Sequence, residues 1–526
     1  MPLDDTDKIT HLLRRAGFAA RPEEIAQGMA RGLPATVETL LNFQNVSDNL
    51  LPLPNSARYN QSYLDLTFDE YISAYGDLLG DMTRIWLHAM MVTTRPLQEK
   101  MVLFWHGLFA TSAADLDLRQ MYLQNQLLRG NFNPDRGVTS PSPFPLGDFR
   151  LMLEWLTKDP AMLFFLDNWT NTRLNNEVGS NENYARELHE LFSMGVEDVV
   201  AKVPNYTERD VRQASRALTG WSVAPWVDGQ IGNSFPRWFA YQPTLYRVRI
   251  QHDPGPYDHL GVTFRSTDGR LAQLFQNIVA HKNQGQQQSA TGRFLSYRLF
   301  SFFGYDDPEP EIINALADVF DGAGGQQPYL IRNMLRTMFM PGNAVSEAFY
   351  SERAFTAHVK SPTEYVVSTF RLLKPEGLTR SAQILRFLIP AMSDMGQYLF
   401  FPPDVSGWKE GLNWINTTFD LARFNFGSAL LSLGATQGGI TTDSLRALLN
   451  QNGAQTPEQV VDYFTNLMLQ VQVSPETRAN LVNYLRAGTD GAPGGFNFDL
   501  SSNATIDNKV RGLIHLIMTT PEFQLS

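Results

Sequence analysis

Residues Asn181–Gly195 have the sequence NENYARELHELFSMG, which combines a dense set of charges with apolar positions. On a helix, Glu187 and Glu190 share one stripe, because residues three apart lie on the same side. The neighbouring Leu191 and Phe192 are apolar enough to hold this helix against a core. Two carboxylates on a partly buried face must be paired, protonated or bound to a cation. Three interpretations are open: an Arg–Glu structural network, a metal or acid/base site, and a solvated surface helix.

On both sides of this stretch, helical periodicity dominates and alternating strand patterns are scarce. The 526 residues exceed the size at which one hydrophobic core stops growing, so subdomains are expected. We predict a mainly α fold: a large multi-helix domain over residues 1–435 and a C-terminal helical bundle over residues 436–526. The predicted helices include Pro96–Phe109, Phe149–Thr157, Asn181–Met194, Glu208–Trp221, Ala290–Phe303 and Pro362–Leu373.

Two segments break the helical pattern. Residues 222–269 are rich in aromatic residues, proline and glycine, which predicts a small irregular β excursion. Its one plausible strand pair is Trp238–Tyr241 with Tyr246–Ile250. Residues Gly130–Pro145 are rich in Pro, Gly, Asn and Ser, and predict a loop whose role the sequence leaves open.

The composition restricts the possible chemistry. A net charge of -11 without a long basic run argues against nucleic acid or an anionic membrane as the main partner. The absence of cysteine excludes disulfides, thiolate nucleophiles and Cys-ligated metal centres. Any bound metal would need oxygen and imidazole ligands, so a divalent metal is the candidate cofactor.

No stretch of about 18 uninterrupted apolar residues occurs, so a transmembrane helix is not expected. The beginning of the chain, MPLDDTDKITHLLRRAGF, lacks the apolar stretch of a signal peptide. These two features predict a cytoplasmic protein.

Histidines and tryptophans mark three further candidate site segments. His106 lies inside an apolar helix, where a metal ligand and a satisfied core histidine are both possible. His252 and Asp253 lie in a Pro/Gly-rich loop that suits metal ligation or acid/base chemistry, or a simple turn. Trp408 and Trp414 lie in a glycine-rich loop, where they could stack a sugar or aromatic ligand or fill a gap between subdomains.

Several common enzyme signatures are absent. The chain has no P-loop, no G-x-S-x-G elbow and no G-x-G-x-x-G after a strand. His189-Glu190 begins a His-Glu pair, but the second histidine of His-Glu-x-x-His is missing. Nucleotide-dependent, serine-hydrolase and zincin chemistry therefore have no support from motifs.

The segment NENYARELHELFSMGV resembles the signature of a bacterial family known as domain of unknown function 1800. Further matches to this family are HLLRRAGFAARPEEI (His11–Ile25), EKMVLFWHGLFATS (Glu99–Ser112), LGDFRLMLEWLTKDPAMLFFLDN (Leu146–Asn168), YTERDVRQASRALTGW (Tyr206–Trp221), HDPGPYDHLG (His252–Gly261), GRFLSYRLFSFF (Gly292–Phe303), KSPTEYVVSTFR (Lys360–Arg371) and MGQYLFFPPDVSGWKEGLNWIN (Met395–Asn416). Together they span nearly the whole chain in order.

This resemblance implies which segments of the chain form a site, but not which reaction takes place there. The family usually has Trp-His-Asn-His where this chain has Gly107 and Leu108 after His106, so one potential ligand is missing. Where relatives commonly have a lysine, this chain has Tyr257, and Gly130–Pro145 interrupts the usual pattern as an insertion. Relatives often occur beside a second family that resembles alkaline-phosphatase-like enzymes, which suggests a partner.

Two functions are compatible with these features. The first is an enzyme with a buried carboxylate/histidine site formed where three segments converge: the helix of His106, the helix of Asn181–Gly195 and the loop of His252. The candidate catalytic residues are Glu187, Glu190, His252 and Asp253; the candidate metal ligands are His106, Glu187 and Glu190; the candidate substrate-binding residues are Trp408 and Trp414. The alternative is a non-catalytic scaffold or assembly protein whose acidic residues form an internal salt-bridge network.

Overall fold

The computed structural model describes residues 3–48, 68–116, 118–130, 143–172, 181–223, 245–247, 252–265, 269–373, 382–433, 439–488, 492 and 494–526. In these residues the protein is mainly α with a small β excursion, which confirms the predicted fold class. Most of the predicted insertion at Gly130–Pro145 lies outside the described residues.

The first half of the chain forms ten helices within the described part. They are α1 (Asp5–Arg15), α2 (Pro22–Arg31), α3 (Leu33–Leu41), α4 (Phe68–Val92), α5 (Pro96–Leu108), α6 (Leu118–Arg129), α7 (Phe149–Thr157), α8 (Pro160–Phe165), α9 (Asn183–Glu190) and α10 (Glu208–Ala217).

The described residues of the second half are also helical. They form α11 (Arg270–Ala280), α12 (Ala290–Phe303), α13 (Pro310–Phe320), α14 (Ile331–Phe339), α15 (Ala344–Phe349), α16 (Glu352–Phe355), α17 (Pro362–Leu373), α18 (Ala382–Asp394), α19 (Thr417–Ser432), α20 (Thr442–Gln451), α21 (Pro457–Met468), α22 (Pro475–Arg486), α23 (Asn503–Thr505), a π-helical turn (Ile506–Val510), α24 (Arg511–Met518) and α25 (Pro521–Gln524).

Side-chain caps define where many of these helices begin. The Asp148 carboxylate accepts hydrogen bonds from the backbone of Arg150 and Leu151 at the start of α7. Thr207 and Asp210 form a reciprocal capping box at the start of α10. Such caps satisfy backbone N–H groups that have no partner inside a helix. The predicted helices Phe149–Thr157, Ala290–Phe303 and Pro362–Leu373 are confirmed to the residue.

The β structure consists of two short antiparallel pairs. Strand β1 (Trp221–Val223) pairs with β2 (Leu245–Arg247), and β3 (Tyr257–His259) pairs with β4 (Val262–Phe264). The predicted strand at Tyr246–Ile250 overlaps β2, but its partner in the structure is β1. The other predicted strand, Trp238–Tyr241, lies outside the described residues.

The β3–β4 hairpin was not predicted, although its turn has a readable signal. Leu260 and Gly261 both have positive φ, 48° and 78°. Two consecutive residues with positive φ form the tight turn that suits the twist of a hairpin. Glycine reaches this conformation without strain, whereas leucine does so at a cost.

Buried apolar side chains form one continuous core that runs from the first helix to the last. The C-terminal helices share it: α19 packs against α24, and the ring of Tyr365 on α17 lies 5.3 Å from the ring of Phe523. The division into residues 1–435 and 436–526 therefore stays a prediction. Among the described residues, no helix combines the length and the apolar character needed to cross a membrane.

Candidate functional site

Three segments, together with Phe302 at the end of α12, enclose a small cavity. Helix α5 forms one wall, the segment leading into α17 forms the second, and the loop between α18 and α19 forms the third. The cavity measures about 20 Å³, and its lining residues are Leu103, Gly107, Phe302, His358, Ser361, Glu364, Gln397, Trp408, Glu410 and Trp414. A space of this size admits roughly one water molecule or one small functional group.

Glu364 is the most extensively hydrogen-bonded acid in this cavity. It is 3% exposed and accepts hydrogen bonds from the buried Lys100 ammonium, from His358 Nε2 at 2.9 Å and from the Ser361 backbone N–H at 2.8 Å. Burial alone would raise the pKa of the Glu364 carboxyl, but the Lys100 charge and these hydrogen bonds lower it below its usual value. Glu364 is therefore a carboxylate at neutral pH.

The local sequence explains the position of Glu364. In S-P-T-E, Ser361 precedes helix α17, Pro362 is its first residue and Glu364 its third. The Ser361 hydroxyl accepts the Glu364 backbone N–H at 3.3 Å, and the Glu364 side chain accepts the Ser361 backbone N–H. This reciprocal capping box holds the carboxylate at the end of the helix.

The second acid of the cavity, Glu410, has a raised pKa, in contrast to Glu364. Part of this residue faces solvent, but its carboxylate lies close to α5: a β-carbon added at Gly107 would be 4.0 Å from Glu410 Oε1. Burial of the carboxylate raises the pKa of Glu410 to about 7; Glu364 and Asp306 add to the rise and Arg298 opposes it. Two acids in one cavity thus differ in charge state near neutral pH.

Gly407 lets the third wall approach α5 closely. Its φ is +78°, and a β-carbon there would lie 2.2 Å from the Gly107 carbonyl oxygen, so only glycine fits. This contact brings Trp408 against the His106 ring, with 5.4 Å between ring centroids. Trp408 and Trp414 pack together with Val359 beside the cavity. The two predicted ligand-stacking tryptophans therefore lie in the cavity wall, where they also fill space between segments.

His106 belongs to this region rather than to the signature helix Asn181–Gly195. Its ring lies 5.1 Å from each of the rings of Trp86 and Phe400, and its Nε2 accepts the Phe400 backbone N–H at 3.1 Å. Burial lowers the pKa of His106 to about 3, so the imidazole is neutral. Glu99 lies two helical turns before His106 on α5. Its carboxylate accepts hydrogen bonds from Arg129 and from Trp86 Nε1.

The acids of the signature helix have few contacts. Glu187 and Glu190 are half-buried, and within the described part of the chain neither carboxylate forms a hydrogen bond or ion pair. Burial and the neighbouring Glu190 raise the pKa of Glu187. Arg186 pairs with Glu208 at 2.7 Å and lies 3.8 Å from Glu182. The signature helix packs against α10, which begins at Glu208.

A buried histidine pair anchors the signature helix. His189 Nδ1 lies 2.6 Å from the Ala185 carbonyl and must donate to it, which leaves His189 Nε2 as an acceptor. His259 Nε2, 2.8 Å away, is then the donor, and its Nδ1 accepts from the Asn277 amide at 3.0 Å. Burial lowers the pKa of His189 to about 4 and that of His259 well below its usual range.

His252 and Asp253 are held by the end of α10. Asp253 Oδ2 accepts a hydrogen bond from Arg216 Nε at 2.7 Å, and its Oδ1 accepts the Gly255 backbone N–H at 2.8 Å. His252 Nδ1 lies 2.9 Å from the Thr219 carbonyl. These contacts hold the loop of His252 and Asp253 against the end of α10. A catalytic role for these two residues stays a prediction.

The predicted convergence of three motifs on one centre does not appear in these contacts. None of the hydrogen bonds, ion pairs or ring contacts of the described residues joins His106 to Glu187 or Glu190, or joins His252 and Asp253 to either group. Over the same described ranges, no group of three or more His, Asp or Glu side chains is placed to hold a metal ion. The predicted metal ligands His106, Glu187 and Glu190 thus lack support from the geometry.

The main residues that the sequence did not single out are Lys100, His358, Glu364, Gln397 and Glu410. The S-x-x-E pattern before an apolar run marks Glu364 as a capping residue. No local pattern marks its pairing with Lys100, which lies 264 residues earlier.

The fold and this cavity define a mainly α protein with a buried carboxylate–histidine site. The chain belongs to the family described as "Protein of unknown function (DUF1800)", whose model matches residues 11–525. No curated protein and no solved structure matches the chain.

Proposed function

We propose that this protein is an enzyme that transfers a proton to its substrate in the cavity between α5, α17 and the Trp408 loop. The observation that carries the proposal is that two acids line one cavity: the buried Glu364, held by Lys100 and His358, and the partly solvent-facing Glu410, whose pKa is raised where that of Glu364 is lowered. Pairs of titratable groups driven apart in this way are typical of acid/base sites.

In this proposal Glu410 is the general acid. A carboxyl group with a pKa of about 7 is about half protonated at neutral pH, so a large fraction can donate a proton, which is the property that a general acid needs. Glu364 stays ionised, because Lys100 and His358 hold it as a carboxylate. Its negative charge raises the pKa of Glu410 and would stabilise positive charge that develops on the substrate.

The size of the cavity sets which part of a substrate can enter. About 20 Å³ admits the reacting group alone, so the rest of the substrate would lie outside, along the exposed side of Glu410. Trp408 and Trp414 are 9% and 4% exposed, so a ligand would meet only the parts of their rings that line the cavity. They are the residues we propose for substrate binding.

The scaffold alternative rests on a different observation, which is the number of buried ion pairs. Lys100–Glu364, Arg129–Glu99 and Arg293–Asp198 are all almost completely buried. An internal network of this kind could specify a rigid assembly surface without catalysis. A cytoplasmic location and an alkaline-phosphatase-like partner are proposals that fit either function.

Activity screening tests the enzyme proposal. The wild type should hydrolyse a member of a panel of glycosides, esters and amides with unactivated leaving groups. Glu410→Gln should lower that rate by roughly 10²–10⁴-fold, the usual contribution of a general acid. The loss should be far smaller on nitrophenyl analogues, whose leaving group departs without a proton.

The matched control is Glu347→Gln, which neutralises an exposed glutamate on α15. It should leave the rate unchanged. A folded Glu410→Gln variant with wild-type activity on unactivated substrates would rule out Glu410 as the acid. Absence of activity across the panel would favour the scaffold.

A further inference from the structure

Helix α5 contains a glycine that the conformation of its backbone does not require. Gly107 lies in the last turn of this helix, and its backbone is helical rather than left-handed. A glycine inside a helix is destabilising relative to alanine, because it loses more conformational freedom on folding. The backbone therefore gives no reason for a glycine at this position.

The packing of α5 against the Trp408 loop gives no reason either. A β-carbon at Gly407 would lie 2.2 Å from the Gly107 carbonyl oxygen, so the close approach of the loop depends on Gly407. A β-carbon at Gly107 would lie no closer than 4.0 Å to any described atom outside its own helix backbone and chain neighbours. That distance is an ordinary van der Waals contact, so an alanine would fit. The described residues thus pack without needing the space beside Gly107.

The space beside Gly107 lies next to the proposed general acid. The atom 4.0 Å from a β-carbon at Gly107 is Oε1 of Glu410, and Gly107 is a half-buried residue that lines the cavity. An atom that accepts a proton must approach the carboxyl oxygen to about 2.6–3.2 Å. A methyl group on residue 107 would touch that oxygen from the side of α5. The missing side chain therefore leaves room there for a group that accompanies the proton-accepting atom.

We infer that the space beside Gly107 receives the part of the leaving group next to the atom that Glu410 protonates, which makes Gly107 a specificity-determining residue. The inference rests on the proposed function, because it concerns the substrate class of the same site. In hydrolysis the bond to the departing oxygen or nitrogen breaks, its electron pair stays on that atom, and the Glu410 proton is transferred to it. Water adds its hydroxyl to the other fragment and returns a proton to Glu410.

The lining of this space indicates which leaving groups it suits. Leu103 lies one helical turn before Gly107 on the same side of α5, and Leu103 and Phe302 give the cavity apolar walls. Room for a side chain on residue 107 is also room for a branch of similar size on the substrate. The expected substrates therefore have a departing oxygen or nitrogen bonded to a branched carbon, as in a secondary alcohol or amine.

Gly107→Ala tests this inference, because it adds one methyl group where the branch of the leaving group would lie. Methyl and isopropyl derivatives of the same glycoside, ester or amide differ only in that branch. In Gly107→Ala, kcat/KM for the isopropyl derivative relative to the methyl derivative should fall roughly tenfold or more, the usual effect of one methylene in an apolar pocket. A general disturbance of the structure would lower both values together. An unchanged ratio in the variant would overturn the inference.

Stability measurements and a matched variant complete the test. Gly107→Ala should unfold at the same or a higher urea concentration than the wild type, as expected when alanine replaces a helical glycine. Gly80→Ala makes the same replacement in α4, where the nearest described atom would be the Arg84 side-chain Nη1 at 3.3 Å. Gly80 does not line the cavity, so this variant should keep the wild-type ratio.

The outcomes separate this inference from the proposed function. If Glu410→Gln lowers the rate on unactivated substrates but Gly107→Ala keeps the isopropyl-to-methyl ratio, the enzyme proposal stands and the role of Gly107 is wrong. If Gly107→Ala changes the ratio but Glu410→Gln keeps wild-type activity, Gly107 shapes the substrate site and Glu410 is not its acid. Absence of activity with every substrate would contradict both.

Discussion

The cavity at Glu364 and the signature helix Asn183–Glu190 both place acidic side chains near the core, but the two regions differ in the burial and the partners of those side chains. At the cavity the acid is nearly fully buried and is held by Lys100, His358 and its own helix end. On the signature helix the acids stay half-buried without partners, and the buried polar group is the His189–His259 pair. Charge density in the sequence thus marks a half-buried stripe here, whereas the buried acid Glu364 lies in a largely uncharged segment.

The largest difference between the two regions should appear when one cation is removed from each. Lys100→Met leaves Glu364 buried without its main counter-charge, and should lower the free energy of unfolding by roughly 3–5 kcal/mol. Arg186→Met breaks a pair whose two side chains are 36% and 64% exposed, and should lower the free energy of unfolding far less, because solvent screens such a pair. Urea unfolding of both variants at neutral pH makes the comparison. Equal losses would mean that the two regions do not differ in burial as described.

Protonation of the buried histidine pair should have a somewhat smaller effect on the free energy of unfolding, and this effect depends on pH. The folded pKa of His189 is about 4, below the value of about 6.5 for an unfolded histidine. A depressed histidine pKa means that the unfolded state takes up the proton first, so stability is full above about pH 6.5 and falls as the pH drops towards 4. The shift corresponds to roughly 3 kcal/mol.

A His189→Phe variant isolates that contribution from those of other groups. Between pH 7 and pH 4.5 it should lose less stability than the wild type, whatever its stability at pH 7. The same measurement on Arg186→Met, in the same helix, should give the wild-type slope. A His189→Phe slope identical to that of the wild type would show that the pair is not buried in its neutral form.

Local signals in the sequence were sufficient to predict the fold class and the positions of most helices. Apolar periodicity and caps such as Asp148 and Ser289 depend on residues within one turn of each other, so single-chain patterns reveal them. Trp408 and Trp414, which the glycine-rich loop singled out, line the cavity, and their role in substrate binding stays a prediction.

The rest of the site depends on contacts that no local pattern encodes. Lys100 meets Glu364 across 264 residues, and His189 meets His259 across 70. Glu410 has an ordinary loop sequence around it, and its raised pKa arises first from burial of the carboxylate and then from the acids Glu364 and Asp306 on other segments. The sequence singled out Glu187 and Glu190 by their charge and spacing, and their catalytic role stays a prediction, because protonation depends on burial, which only the tertiary structure supplies.

The titration of Glu410 tests the central claim most directly and needs no substrate. Glutamate labelled with ¹³C at the side-chain carboxyl reports each carboxyl by NMR, and Glu410→Gln assigns the resonance. The account predicts a carboxyl that titrates near pH 7 in the wild type and lower in Glu364→Gln, where the neighbouring negative charge is gone. Titration of Glu410 near the ordinary value of about 4.3, unchanged by Glu364→Gln, would contradict it.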